Sequence, residues 1–171
     1  KTNFMKKLIT FTLVLATLIG KAQIFSEDFN AGIPSTFTLT DGDGLTPNNT
    51  NYTVGSFAAS NLTSSAGIAE DCAVSVSWFN PIACCADDWM VTPAITIPTS
   101  INPIFLTFNA IAYEAAYPDG VEVYVSTTGT SPIDFTSSSP IYNTTPTTPG
   151  PVSTPIPGNG ENDVWTIRSV D

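Results

Sequence analysis

The chain has 171 residues, with 15 acidic side chains, 5 basic ones and no histidine, for a formal net charge of −10. So acidic a surface repels nucleic acid and anionic membranes, and no nucleic-acid partner is expected. The length suits one domain, the 14 prolines exclude long helices, and the wealth of Thr, Ser, Val, Ile and aromatic residues predicts an all-β fold.

The N-terminus reads as a targeting segment. Met5-Lys6-Lys7 is a short basic region, residues 8–19 form an apolar run broken only by threonines, and Gly20-Lys21-Ala22 offers small residues where a signal peptidase reads. Cleavage after Ala22 leaves a mature chain that begins at Gln23. The run is short for a membrane span; the rival reading is an uncleaved anchor. Residues 1–4 precede Met5 and read as extra translated sequence. The division is therefore 1–22, extension and signal peptide, and 23–171, one domain. Lys1, Lys6, Lys7 and Lys21 all fall in the first part, so the mature chain sets Arg168 alone against fifteen carboxylates. Such a surface attracts divalent cations; it also serves simply to keep a secreted protein in solution.

Residues 24–29 alternate as a first strand, with Phe25 and Phe29 on one face and Glu27 between them. A carboxylate held between two rings needs a partner. A cation would serve; a strand end in water would remove the need. After a turn at residues 30–34 and a short strand at 37–40 comes Asp41-Gly42-Asp43-Gly44. Two acids separated by one glycine can turn their oxygens toward one centre, as calcium requires. The full EF-hand pattern is absent, and an ordinary Asp-Gly turn accounts for the same residues.

The polar stretch 46–65 holds a short strand at 52–54 and three N-x-Thr sequons, at Asn48, Asn51 and Asn61. Residues 71–79 alternate clearly and end at Asn80-Pro81. The stretch from Asp87 to Ile95 is the centre of the pattern: two acids, Trp89, a short strand, and Pro93, which removes a ladder donor and stops it. Residues 104–113 are apolar on both faces and predict a long central strand. Residues 121–126 alternate again. The Thr-, Ser-, Pro- and Gly-rich stretch 127–160 reads as long loops around a short strand near Ile141-Tyr142. Residues 164–170 are a last strand that stops at Asp171 in mid-pattern, so the expectation is a sandwich lacking its closing strands, with an open edge.

The cysteines are Cys72, Cys84 and Cys85. Export permits a disulfide from Cys72 to either of the other two, with one thiol left over. A Cys84–Cys85 ring, three free thiols and a metal site are the alternatives, and the last fits no familiar spacing.

Taken in order, Phe25-Ser26-Glu27-Asp28-Phe29, Gly32-Ile33-Pro34, Asp41-Gly42-Asp43-Gly44, Ser75-Val76-Ser77-Trp78, Asp88-Trp89-Met90-Val91-Thr92-Pro93 and Val121-Glu122-Val123-Tyr124-Val125-Ser126-Thr127-Thr128-Gly129 resemble the cleaved adhesin domain. It is also called the choice-of-anchor J domain, of secreted Bacteroidetes proteins and the haemagglutinin regions of gingipain-type proteases. The likeness runs from about residue 24 to the end. It implies a jelly-roll β-sandwich similar to galactose-binding modules, structural calcium, no catalysis, and a larger multidomain parent, often with a type IX secretion signal. Carried onto this chain, the calcium candidates are Glu27, Asp41 and Asp43, and less directly Asp119. Two departures stand out. Leu45-Thr46-Pro47-Asn48 replaces the tryptophan that many relatives carry after the Asp-Gly loop, and the usual closing strands are missing.

The functional expectation is a non-catalytic adhesion or binding module of a secreted or cell-surface protein. Its ligand would be a host or matrix protein or a glycan, and no membrane span would remain after processing. The alternative is a carbohydrate-binding accessory domain of a secreted hydrolase or peptidase. Sugar sites use aromatic platforms, for which Trp78, Trp89, Tyr113 and Tyr117 are available, although the two tryptophans read more readily as core. Catalysis is the third reading. Asp87 and Asp88 are adjacent acids, but neighbours on a strand face opposite ways, and the mature chain has neither histidine nor lysine.

Overall fold

The computed structural model describes residues 23–48, 55–79, 86–99, 103–114, 116–117, 119–145 and 160–171. The targeting segment, the strand expected at 52–54, and Cys84 and Cys85 lie outside these. The chain divides into two compact units, one of Lys1–Glu27 with Ile95–Ile97, the other of Asp28–Ala94 with Pro98–Asp171. Among the described residues the first unit carries no strand.

The second unit is all-β apart from one short helix, and of the β-sandwich class. Its elements are β1 (Thr38–Asp41), β2 (Ala58–Thr63), β3 (Ala69–Val74), β4 (Asp88–Val91), β5 (Leu106–Ala110), β6 (Glu122–Val123), α1 (Pro132–Thr136), β7 (Tyr142–Asn143) and β8 (Thr166–Val170). The strands pair antiparallel as β1–β4, β2–β3, β5–β8 and β6–β7.

The strand expected at residues 24–29 does not form. Phe29 adopts a left-handed backbone, φ 57°, which ends an extended run. The Asp28 carboxylate accepts from the Asn30 amide at 3.1 Å, and the Gly32 amide donates to the Phe29 carbonyl at 2.8 Å. A turn therefore replaces the strand, and the Phe29 ring meets Phe37 edge-on at 6.2 Å.

The long strand expected at 104–113 shortens to β5. Beyond it the Ala112 amide turns to the Asn162 carbonyl at 2.8 Å, and among the described residues β5 has one ladder partner, β8. Phe79, Val91, Cys72 and Ala112 are buried. β4 ends as Pro93 requires.

Buried Glu161, shortly before β8, ties β8 to β7 through an ion pair with Arg168 and a hydrogen bond from Tyr142. Among the described residues the buried polar side chains are Ser64 and Glu161. Arg168 on β8 donates to Glu161 Oε2 from Nη2 at 2.8 Å and from Nε at 3.1 Å. Tyr142 Oη and Thr144 Oγ1 donate to Oε1 at 2.7 and 2.8 Å. Burial on its own would raise the Glu161 carboxyl; the donors from Tyr142, Arg168 and Thr144, with the arginine charge, outweigh it and hold the carboxyl below its ordinary value. On the same side the Phe108 ring of β5 meets Tyr142 edge-on at 5.3 Å.

Gly120 precedes β6 at a close backbone crossing. A Cβ there would lie 2.5 Å from both the Thr144 carbonyl oxygen and the Thr145 amide nitrogen. Those are backbone atoms that cannot swing aside. Gly120→Ala should therefore cost about 1–3 kcal/mol, as overpacking does. A urea titration checks it, and an unchanged midpoint would show that the crossing opens freely.

Candidate metal centre

The acidic loop follows directly from the end of β1. Asp41 is the last residue of that strand and stands opposite Asp88, the first of β4. Gly42 continues the approach. Its amide donates to the Asp87 carbonyl at 2.8 Å, and a Cβ at Gly42 would collide with Asp87. Gly44 takes the left-handed conformation, φ 65°, that lets the loop turn back. The loop amides fix the carboxylates: Gly44 donates to Asp41 Oδ1 at 2.7 Å, Leu45 to Asp43 Oδ1 at 2.6 Å, and Asp87 to Asp43 Oδ2 at 2.7 Å.

The result is a cluster of three acids. One carboxylate oxygen each from Asp41, Asp43 and Asp88 lies within 4.8 Å of the others. Asp41 is exposed and the other two are half-buried. At that separation two unit charges repel by roughly 1 kcal/mol in bulk water and roughly 3 kcal/mol at an effective dielectric of about 20. Burial raises the Asp88 carboxyl above its ordinary value. The Ser75 hydrogen bond pulls it back in part, and the charges of Asp43, Asp41 and Asp87 add to the rise.

Asp88 is the informative member. Its Oδ2 accepts from Ser75 Oγ at 2.5 Å. Its Oδ1 is buried and has no hydrogen-bond donor among the described residues. An orphaned, buried carboxylate oxygen is expensive unless something positive meets it. All three donors are hard oxygens, a set that suits calcium or magnesium rather than a thiophilic or imidazole-seeking metal. The donor chemistry therefore fits calcium. The cluster also lies where two ladders meet: Ser75 follows β3, and Gly55, shortly before β2, lies against the Asp41 carboxylate.

The four acids named from the sequence are placed differently. Asp41 and Asp43 come together. Glu27 is the last residue of the first unit, half-buried. Asp119 stands apart from the cluster, and both its oxygens accept from Ser77 Oγ, at 2.8 and 2.9 Å. Asp88, absent from the expected set, takes the third place. The signal for it was the adjacent pair Asp87-Asp88, of which alternation allows only one to face the loop. The other, Asp87, accepts from Trp89 Nε1 at 2.6 Å. Cys72 is buried and has no disulfide partner among the described residues, which do not include Cys84 or Cys85; its thiol is raised above its ordinary pKa chiefly by burial.

The aromatic residues separate into two kinds. Trp89 is half-buried and stacks on Tyr124 at 5.6 Å and on Phe135 at 6.0 Å. Trp78, expected in the core, is 58% exposed, and Tyr113 and Tyr117 are exposed as well. The described residues include no helix long and apolar enough to cross a membrane.

No curated protein and no solved structure matches the chain. The family model of the Cleaved Adhesin Domain matches residues 22–171, with the Asp-Gly loop, the Asp-Trp strand and the antiparallel ladders all inside the match. The chain belongs to the cleaved adhesin domain family.

Proposed function

We propose that this chain is a non-catalytic binding module of a secreted or cell-surface protein, built on a jelly-roll β-sandwich and stabilised by calcium. The observation that carries the calcium reading is the convergence of Asp41, Asp43 and Asp88 around an unpartnered, buried Asp88 oxygen. Bound calcium would supply positive charge to the cluster and nothing redox or Lewis-acidic to a substrate. The chain's own part is to aim oxygens: the loop amides orient Asp41 and Asp43, and Ser75 orients Asp88. Asp119 is committed to Ser77.

Several features support a binding role over catalysis. The chain has no histidine. Asp87 is held by Trp89, and Asp88 by Ser75, so the adjacent acids do not form a working pair. Isothermal titration with calcium tests the reading. Saturable binding that Asp41→Asn/Asp43→Asn abolishes is expected; no heat from the parent chain would overturn it.

The second reading, a carbohydrate-binding accessory domain, is favoured by the exposure of Trp78, Tyr113 and Tyr117. Stacking of a sugar on such rings is a common mode of recognition. A glycan array with the parent and Trp78→Ala separates the two: ring-dependent glycan signals support it, and protein-ligand binding that survives Trp78→Ala opposes it.

A further inference from the structure

We propose that two copies of this chain associate through β8, whose outer edge pairs antiparallel with the same strand of the second copy and joins two β5–β8 ladders into one four-stranded sheet. The inference is independent of the calcium reading, because no carboxylate takes part in it.

The strand is open. Among the described residues β8 has one ladder partner, β5, and nothing pairs with its other edge. Such an edge is a template for a further strand. Proteins guard these edges with proline, lysine or inward charges, and Thr166–Val170 carries no proline, lysine or acid. Ile167 is 71% exposed, against 41% for Leu39 and 40% for Leu106, the other exposed large apolar residues within strands. Ser169 lies on the same face as Ile167, with Thr107 and Asn109 of β5 directly across, and all three are exposed and uncharged.

Charge selects the occupant. Residues 23–171 set fifteen carboxylates against Arg168, so two copies repel over most of their surfaces. The β1–β4 ladder includes Asp41 and Asp88, β2–β3 includes Glu70 and Asp71, and β6–β7 includes Glu122. β5 and β8 include no acid. Their one charge, Arg168, is answered within its own copy by Glu161 at 2.8 Å. A basic partner would be drawn to the other ladders, whereas a second acidic copy meets least repulsion at this one. Antiparallel pairing of a strand with itself uses the same edge in both copies, so the contact is two-fold and closes at the dimer. Side chains keep their faces across the new pair. Ile167 and Ser169 of both copies therefore share one surface, and Ile167 loses contact with water.

Sedimentation equilibrium of the exported chain in chelator tests the proposal, with hydrogen exchange read by mass spectrometry at low and high protein concentration. A monomer–dimer equilibrium is expected. It should tighten about tenfold or more between about 0.1 M and about 1 M sodium chloride, as the Debye length falls from about 10 Å to about 3 Å and the repulsion between copies is screened. Amides of residues 166–170 should gain protection with concentration, and those of residues 58–63 and 69–74 should not. Ile167→Asp sets like charges together at the joint and should weaken association about tenfold or more. Ile133→Asp, at a 76% exposed residue of α1, should leave it unchanged. A chain that stays monomeric at both salt concentrations overturns the proposal, as does association that requires calcium, which would mark bridged carboxylates. A dimer that Ile167→Asp leaves intact, or that Ile133→Asp weakens equally, overturns it as well, since general apolar adhesion would then be the cause. The exchange measurement uses the parent chain, so a dimer in which residues 166–170 gain no protection overturns the pairing without any variant.

Discussion

Calcium should raise the melting temperature of the parent chain by about 5–10 °C over chelator, and Asp41→Asn/Asp43→Asn should erase that difference. A ligand that binds only the native state adds RT ln(1 + [L]/Kd), roughly 2.7 kcal/mol at a hundredfold excess over Kd. For a domain of this size each kcal/mol moves the midpoint by roughly 2–4 °C. The comparison within chelator is equally informative. There the acids only repel, since Asp41 faces Asp88 and Asp43 lies within reach of both. Asparagine removes the charge and keeps the oxygen that accepts from Gly44 and Leu45; at position 43 it gives up the Asp87 amide bond, worth about 1.5–3 kcal/mol to a charged acceptor, less than the summed repulsion it relieves. The double variant should therefore melt no lower than the parent in chelator, and lower than the parent in calcium. This crossing of order separates a metal site from a set of acids that matter for hydrogen bonding alone. In the latter case the variant would melt lower in both buffers by the same amount, and the calcium proposal would fall.

Local signals in the sequence led to local structure, and the misses lie where a non-local partner decides. β4 was legible because alternation and Pro93 bound it on one side, and β8 because Thr166, Arg168 and Val170 alternate with Ile167 and Ser169. β2 was hidden in a polar stretch, Ala58-Ala59-Ser60-Asn61-Leu62-Thr63, whose extended form is fixed by its six pairs with β3 rather than by its own pattern. Residues 24–29 read as a strand because alternation does not report backbone handedness, and the turn at Phe29 depends on the Asp28 side chain. The helix Pro132–Thr136 carried a readable start, Ser131 followed by Pro132 and by Asp134, whose carboxylate accepts from the Ser131 amide at 3.0 Å. The Thr- and Ser-rich surroundings masked it.

The candidate site divides in the same way. Asp41 and Asp43 are a local motif, and the glycines between and after them announce a turn. Asp88 joins them only through the pairing of β1 with β4, which no spacing within either segment specifies. Trp78 shows the opposite error: an aromatic on an alternating run was expected inside. The ladder stops at Val74, and beyond it the chain turns Trp78 outward while Phe79 is buried and bridges to Pro47.

Glu161→Gln should destabilise the chain by about 3 kcal/mol at neutral pH, lowering the midpoint by roughly 6–12 °C. Breaking one side of a buried ion pair costs about 3–5 kcal/mol because the partner is left uncompensated. The low end applies here, since the Arg168 side chain keeps 26% of its surface in water while that of Glu161 keeps 3%. Glutamine retains an oxygen for Tyr142 and Thr144 but turns an NH2 toward Arg168, so the loss combines the charge with the two hydrogen bonds to Oε2. The pH dependence follows from the direction of the shift. Glu161 titrates below its ordinary value in the folded chain. Its contribution is therefore complete above the ordinary carboxylate range, near 4.3 for an unfolded glutamate, and is lost as pH falls through the lower folded value. The gap between parent and variant should be widest at pH 7 and should narrow below about pH 4. Urea titrations of both proteins at pH 7 and pH 3 measure it as a difference, in which the other fourteen carboxylates cancel. Glu161→Leu/Arg168→Met supplies the control: removing both charges together should cost less than removing the glutamate charge alone, because an apolar pair leaves nothing buried and unanswered. If the double variant is the less stable of the two, the tie between β7 and β8 is a packing contact, and the charge argument for it is wrong.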